Sequence, residues 1–119
     1  MKRDMDLVRE VLLRVEEDTS GSIKHLELDG FTPEEVAYHI VLLVEHGYLV
    51  GGVQPTVGNR PPIYIVQRMS WDGHEFLDLA RNKTIWKEAK KTFVEKGAAL
   101  SLEVLKVVLI ELTRRALLA

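Results

Sequence analysis

The stretch that decides the fold is FTPEEVAYHIVLLVEHGYLVGGVQPTVGNRPPIYIVQRM, residues 31–69. Its first part is a strong helix start. Thr32 can cap, Pro33 suits the first helical position, and Glu35 stands three residues after the cap, as in a capping box. Val36, Ile40, Leu43 and Val44 recur at helical spacing, with Ala37 and Val41 at the edges of the stripe. Gly47 supplies the left-handed residue that ends such a helix. Tyr48–Val53 and Ile63–Arg68 are then rich in strand formers. Between them Gly51-Gly52, Pro55, Gly58-Asn59 and Pro61-Pro62 mark a loop, so the pair reads as a two-stranded hairpin with an open tip.

Outward from this stretch the chain is mostly helical. Toward the N-terminus, Met5, Val8, Val11, Leu12 and Val15 form one stripe of a helix over 4–17, with Asp4 and Asp6 where acids favour its positive end. Asp18-Thr19-Ser20-Gly21-Ser22 ends it. Ile23–Asp29 alternates in a way that suggests a short strand, and leaves little room for a positioning helix before Phe31. Toward the C-terminus, Ser70 caps a helix to Ala80 with Trp71, Leu77 and Ala80 facing inward. A helix over 84–96 carries Ile85, Trp86, Ala89 and Phe93, and Gly97 stops it. Ser101 caps a last helix from Leu102 to about Leu118, which is apolar nearly all round. Such a helix needs cover on most faces, and a twofold-related second subunit is the usual provider. A homodimer through Leu105, Val108, Leu109 and Leu112 is therefore expected.

The predicted class is α+β, mostly helical: a winged helix-turn-helix-like core over residues 1–80, its wing the two-stranded hairpin, with a helical extension over 81–119. At 119 residues the chain can bury one core without staples. There is no cysteine, hence no disulfide framework and no thiolate metal site. MKRDMDLVRE lacks the apolar core of a signal peptide, and no run is apolar enough to span a bilayer, so a cytoplasmic protein without membrane partners is expected. Charge is unevenly spread. Residues 1–50 hold five Lys/Arg against eleven Asp/Glu, and residues 51–119 hold eleven against seven, for a total of −2.

The segment 32–69 resembles the winged-helix superfamily, where many repressors run a helix through Gly into the wing as EHGYLV does at 45–50. Nearly the whole chain is similar to an uncharacterised bacterial and phage family of unknown function. That likeness rests on MKRDMDLVR at 1–9, EEVAYHIVLLVEHGYLVG at 34–51, WDGHEFLDLARNKTIWKEAKK at 71–91, and the Lys-Gly and apolar helix that follow from Lys96. It implies a small winged-helix-like protein and brings no activity or site residues with it.

Chemistry-bearing patterns are few. His74-Glu75-Phe76-Leu77-Asp78 lacks the second histidine of the H-E-x-x-H zinc signature and has no evident third ligand. Ser70, His74 and Asp78 lie at i, i+4, i+8, but a serine capping a helix has its oxygen committed to backbone amides and is no nucleophile. His39 and His46 are two turns apart, roughly 10 Å, too far to share an ion. No enzyme, metal, cofactor or small-molecule ligand is expected.

Two readings of function stand. The first is a DNA-binding transcriptional regulator. It would contact double-stranded DNA through Tyr38 and His39 on the exposed face of the 33–46 helix, Arg60 in the wing, and a basic row of Lys83, Lys87, Lys90 and Lys91. The second is a winged helix that has given up DNA and engages a protein. Glu34 and Glu35 favour the second, because they would repel phosphates at the end of the helix that normally enters the major groove. The plainer account of the lysine row is a solvated helix face.

Overall fold

The computed structural model describes the whole chain apart from residues 55–57 and 98–100. The elements in order are α1 (Met5–Glu17), α2 (Pro33–His46), β1 (Leu49–Gln54), β2 (Ile63–Met69), α3 (Trp71–Ala80), α4 (Lys83–Lys96) and α5 (Leu102–Leu118). The fold is mixed α and β, mostly helical, with one antiparallel two-stranded sheet. Its helix-then-hairpin order is consistent with a winged-helix-like arrangement. The chain divides into two compact units, Met1–His74 and Glu75–Ala119, with the division inside α3.

The local signals behave as their physics requires. Asp4 caps α1 by accepting from the Asp6 and Leu7 amides. Thr32 and Glu35 form a reciprocal capping box at the start of α2. Gly47 ends that helix at φ 89°, a left-handed conformation that L side chains rarely adopt. Asn82 caps α4 through the Ile85 amide, and Ser101 caps α5 through Val104.

β1 and β2 pair from Leu49–Met69 to Gln54–Ile63, with a bulge between Val50 and Gly51. The extra residue explains the burial pattern of β2. Tyr64 and Val66 face inward, and the next inward residue is Met69 instead of Arg68. Residues 55–57, in the expected wing loop, lie outside the described residues.

No helix forms between α1 and α2. The expected short strand reduces to one bridge, in which Ile23 and Val66 exchange both backbone bonds at 2.8 and 2.9 Å. Farther along, the Leu26 amide donates to the Tyr64 hydroxyl at 2.8 Å. A connector with no ladder of its own still has to satisfy its inward-facing amides, and here the sheet supplies the partners. Tyr64 is 7% exposed, and burial raises its phenol above the usual value; the bond from Leu26 works in the opposite direction.

The base of the hairpin is tied to α2 and to the first turn of α3. Ser70 donates its hydroxyl proton to the Gly47 carbonyl and accepts from the Gly73 amide. A Cβ at Gly73 would collide with the Tyr48 carbonyl and with Met69, so this close approach requires glycine. Trp71, expected to face inward, is 78% exposed; the inward residues of α3 are Phe76, Leu77 and Ala80. In the second unit Phe76 and Trp86 meet edge to face with ring centroids 6.4 Å apart, and α4 packs with α5.

Candidate functional site

The residues expected to contact DNA are divided between the two units, and one of them lies in the interior. His39 is 1% exposed. Its Nε2 faces the Asp4 amide at 2.8 Å and its Nδ1 faces the Glu35 carbonyl at 2.8 Å. The amide can only donate, so Nε2 accepts and Nδ1 carries the proton. The imidazole thus serves the amide at the head of α1 from within α2 and is unavailable to a ligand. The reading of His39 as an exposed contact is corrected accordingly. Tyr38 is half-buried, with its ring edge-on to that of His39 at 5.7 Å.

Arg60 is exposed in the hairpin connection. Lys83, Lys87 and Lys91 are exposed at four-residue spacing along α4, whereas Lys90 is half-buried and off that row. Lys91 pairs with Glu95 at 3.7 Å between exposed side chains, a contact of small energetic weight. Tyr38 and Arg60 belong to the first unit and the lysines to the second.

Two of the four residues expected to form a dimer stripe lie in the interior. Leu105 and Leu109 are fully buried within the chain, and Val108 and Leu112 are half-buried. The apolar residues that α5 leaves outside are Val104, Val107, Ile110, Leu117 and Leu118.

One concavity among the described residues is not announced by the sequence. A hollow of about 540 Å³ lies between α1 and the connector, lined by Asp6, Glu10, Arg14, Glu27, Leu28, Asp29 and Phe31. A second, of about 330 Å³, shares Glu27, Leu28, Asp29 and Phe31 and reaches Pro33 and Val36 at the start of α2. Asp6, Glu10 and Arg14 fall at i, i+4, i+8 along one face of α1, the face opposite its apolar stripe. The groove therefore has four carboxylates, one guanidinium and an apolar element from Leu28 and Phe31. Asp6, expected as an acid near the start of the helix, and Glu10 lie one turn apart on α1. Their meeting with Glu27 and Asp29 depends on the path of a connector that has no periodicity of its own.

The first unit carries seven Lys/Arg against twelve Asp/Glu, net −5, and the second nine against six, net +3. His74 and Asp78 are both exposed, and Asp78 bonds Arg81 at 3.1 Å. Among the described residues no three His, Asp or Glu side chains gather where they could hold a metal ion. Among those residues, too, no helix is long and apolar enough to cross a membrane.

These features define a small helix-and-hairpin protein with an acidic first unit and a helical second one. The chain belongs to the family described as "Hypothetical protein (DUF2513)", which matches residues 2–99. It is 37% identical over 108 residues to an uncharacterized protein of Haemophilus influenzae, covering 89% of this chain and 90% of that one. The resemblance to an uncharacterised bacterial family is thereby established. No solved structure matches the chain.

Proposed function

We propose that this chain is a non-catalytic, cytoplasmic binding module of winged-helix design that engages a basic, partly apolar segment of a protein partner. The observation that carries this reading is the groove between α1 and the connector, lined by Asp6, Glu10, Glu27 and Asp29 against the single cation Arg14, together with Leu28 and Phe31. Carboxylates around an apolar patch favour a peptide that combines lysine or arginine with an aliphatic anchor, and they disfavour phosphates. The helix in the recognition position adds to this. Its first turn carries Glu34 and Glu35, and its His39 is committed to the interior.

Nuclear magnetic resonance titration with a lysine- and leucine-rich peptide tests the reading. Amide shifts should concentrate at Asp6, Glu10, Glu27 and Asp29, weaken with salt, and disappear in a Glu10→Lys/Asp29→Lys variant. A titration that leaves the groove unperturbed overturns it.

DNA-binding regulation is the second reading, supported by the exposed row Lys83, Lys87 and Lys91 on α4. Three phosphate contacts would give a salt dependence of log K on log salt near about −2.7. Absence of duplex binding at low salt removes this reading.

A further inference from the structure

The outer face of α5 presents Glu103, Val107, Ile110 and Arg114, all exposed, at intervals of four, three and four residues. That is the spacing of a two-helix seam, in which residues three and four apart alternate along one stripe. The order of residue types is acid, aliphatic, aliphatic, base. Turned end to end, it complements itself. We propose that α5 pairs antiparallel with α5 of a second copy through this seam. Each Glu103 then faces Arg114 of the other copy, and each Val107 faces the other's Ile110.

A second copy fits as the occupant because these charges complement themselves under a twofold axis. A parallel pairing would set Glu103 against its own equivalent and Arg114 against its own, which is repulsive at both ends. The antiparallel pairing makes both ends attractive with the aliphatic pair between them, and each residue meets its partner twice, as a self-complementary isologous contact requires. Val107 is 64% and Ile110 46% exposed, so each has apolar surface to lose. Arg114 is already held in place by Glu111, one turn before it, through Nη2 at 2.8 Å and Nε at 3.2 Å. A guanidinium has five N–H donors, so this bidentate pair orients Arg114 and leaves others for the incoming carboxylate. The stripe differs from the one expected from sequence, since Leu105 and Leu109 are buried by the chain itself. The proposal goes beyond the peptide-binding reading and uses a different unit of the chain.

A seam of about three turns buries less than a standard interface of roughly 1,600 Å², so weak association is expected and concentration must be varied widely. Sedimentation equilibrium from about 10 to 500 µM should show the wild type moving from monomer to dimer. Val107→Glu/Ile110→Glu should stay monomeric with unchanged circular dichroism, because both positions are exposed in the free chain. Glu103→Arg and Arg114→Glu should each weaken dimerisation about tenfold or more. Mixed in equal amounts, these two variants should associate again, because the heterodimer restores opposite charges at both ends.

The chain has no cysteine, which permits a second measurement if a charge variant proves unstable. An equimolar mixture of Val107→Cys and Ile110→Cys should cross-link faster on mild oxidation than either alone. A wild type that remains monomeric at the highest concentration overturns the proposal. So does a dimer that survives Val107→Glu/Ile110→Glu, or a charge mixture no tighter than its components. Peptide titration of the monomeric variant keeps the two readings separable, since the acidic groove is untouched.

Discussion

Met1–His74 and Glu75–Ala119 are both rich in helix, yet polar groups play different parts in them. In the first unit, besides the local caps at Asp4 and Thr32, side chains satisfy backbone groups far away in the chain. His39 serves the amide of Asp4, Tyr64 that of Leu26, and Ser70 the carbonyl of Gly47. In the second, Asn82 and Ser101 act within one turn as caps, and the interior is built from Phe76, Leu77, Trp86, Ala89, Phe93, Leu105 and Leu109. The lesson is about sensitivity. A long-range bond to a buried amide holds two elements in one register, whereas a cap stabilises only the helix that carries it.

That contrast can be broken first at His39. His39→Ala removes a buried ring and leaves the Asp4 amide and the Glu35 carbonyl without their side-chain partner. It should cost about 3 kcal/mol, read as a fall in the midpoint of chemical denaturation followed by circular dichroism. A loss below about 1 kcal/mol would show that water reaches the Asp4 amide and that the long-range link is dispensable.

The next largest effect is expected at Tyr64. Tyr64→Phe keeps the ring and strands the Leu26 amide, at about 1.5 kcal/mol. It also carries a pH signature. Burial raises the Tyr64 phenol above its usual 10.0, so the folded state resists ionisation more than the unfolded chain does. The resulting stability is fully present below pH 10 and is lost as pH rises from there through the folded value. Denaturation midpoints measured from pH 8 to above pH 10 should fall more steeply in the wild type than in Tyr64→Phe. Parallel curves would mean that Tyr64 is not the group responsible.

The smallest effect sharpens the comparison from the other side. Asn82→Ala deletes a single cap, and the expected loss is about 1 kcal/mol. Because Trp86 is 4% exposed and lies one turn from that cap, its fluorescence reports the change; a Trp71→Phe background removes the exposed tryptophan's contribution. If Asn82→Ala proves more damaging than His39→Ala, the distinction between local and long-range polar contacts does not hold here.

Much of the fold was legible because it rests on short-range chemistry. Thr32-Pro33-Glu34-Glu35 announces α2, and Gly47, Gly97 and Ser101 sit at helix ends for reasons contained within a turn of chain. The hairpin followed from two β-rich runs bracketing turn residues, although the bulge at Val50/Gly51 did not. The candidate site was less legible. Asp6 was visible only as an acid near the start of α1, and Glu27 and Asp29 join it and Glu10 through a connector whose shape depends on Ile23, Leu26 and their partners on β2.

The sequence by itself determined where helices begin and end, how the hairpin is bounded, and that charge is divided unequally along the chain, because these follow from local backbone preferences and composition. Only the tertiary structure decided which side of each helix is inside. On α2, a histidine that could have faced solvent is buried because the amide at the head of α1 needs an acceptor there. On α5, apolar on nearly every side, periodicity cannot choose a face. Packing within the chain takes Leu105 and Leu109 and leaves Val107 and Ile110 outside.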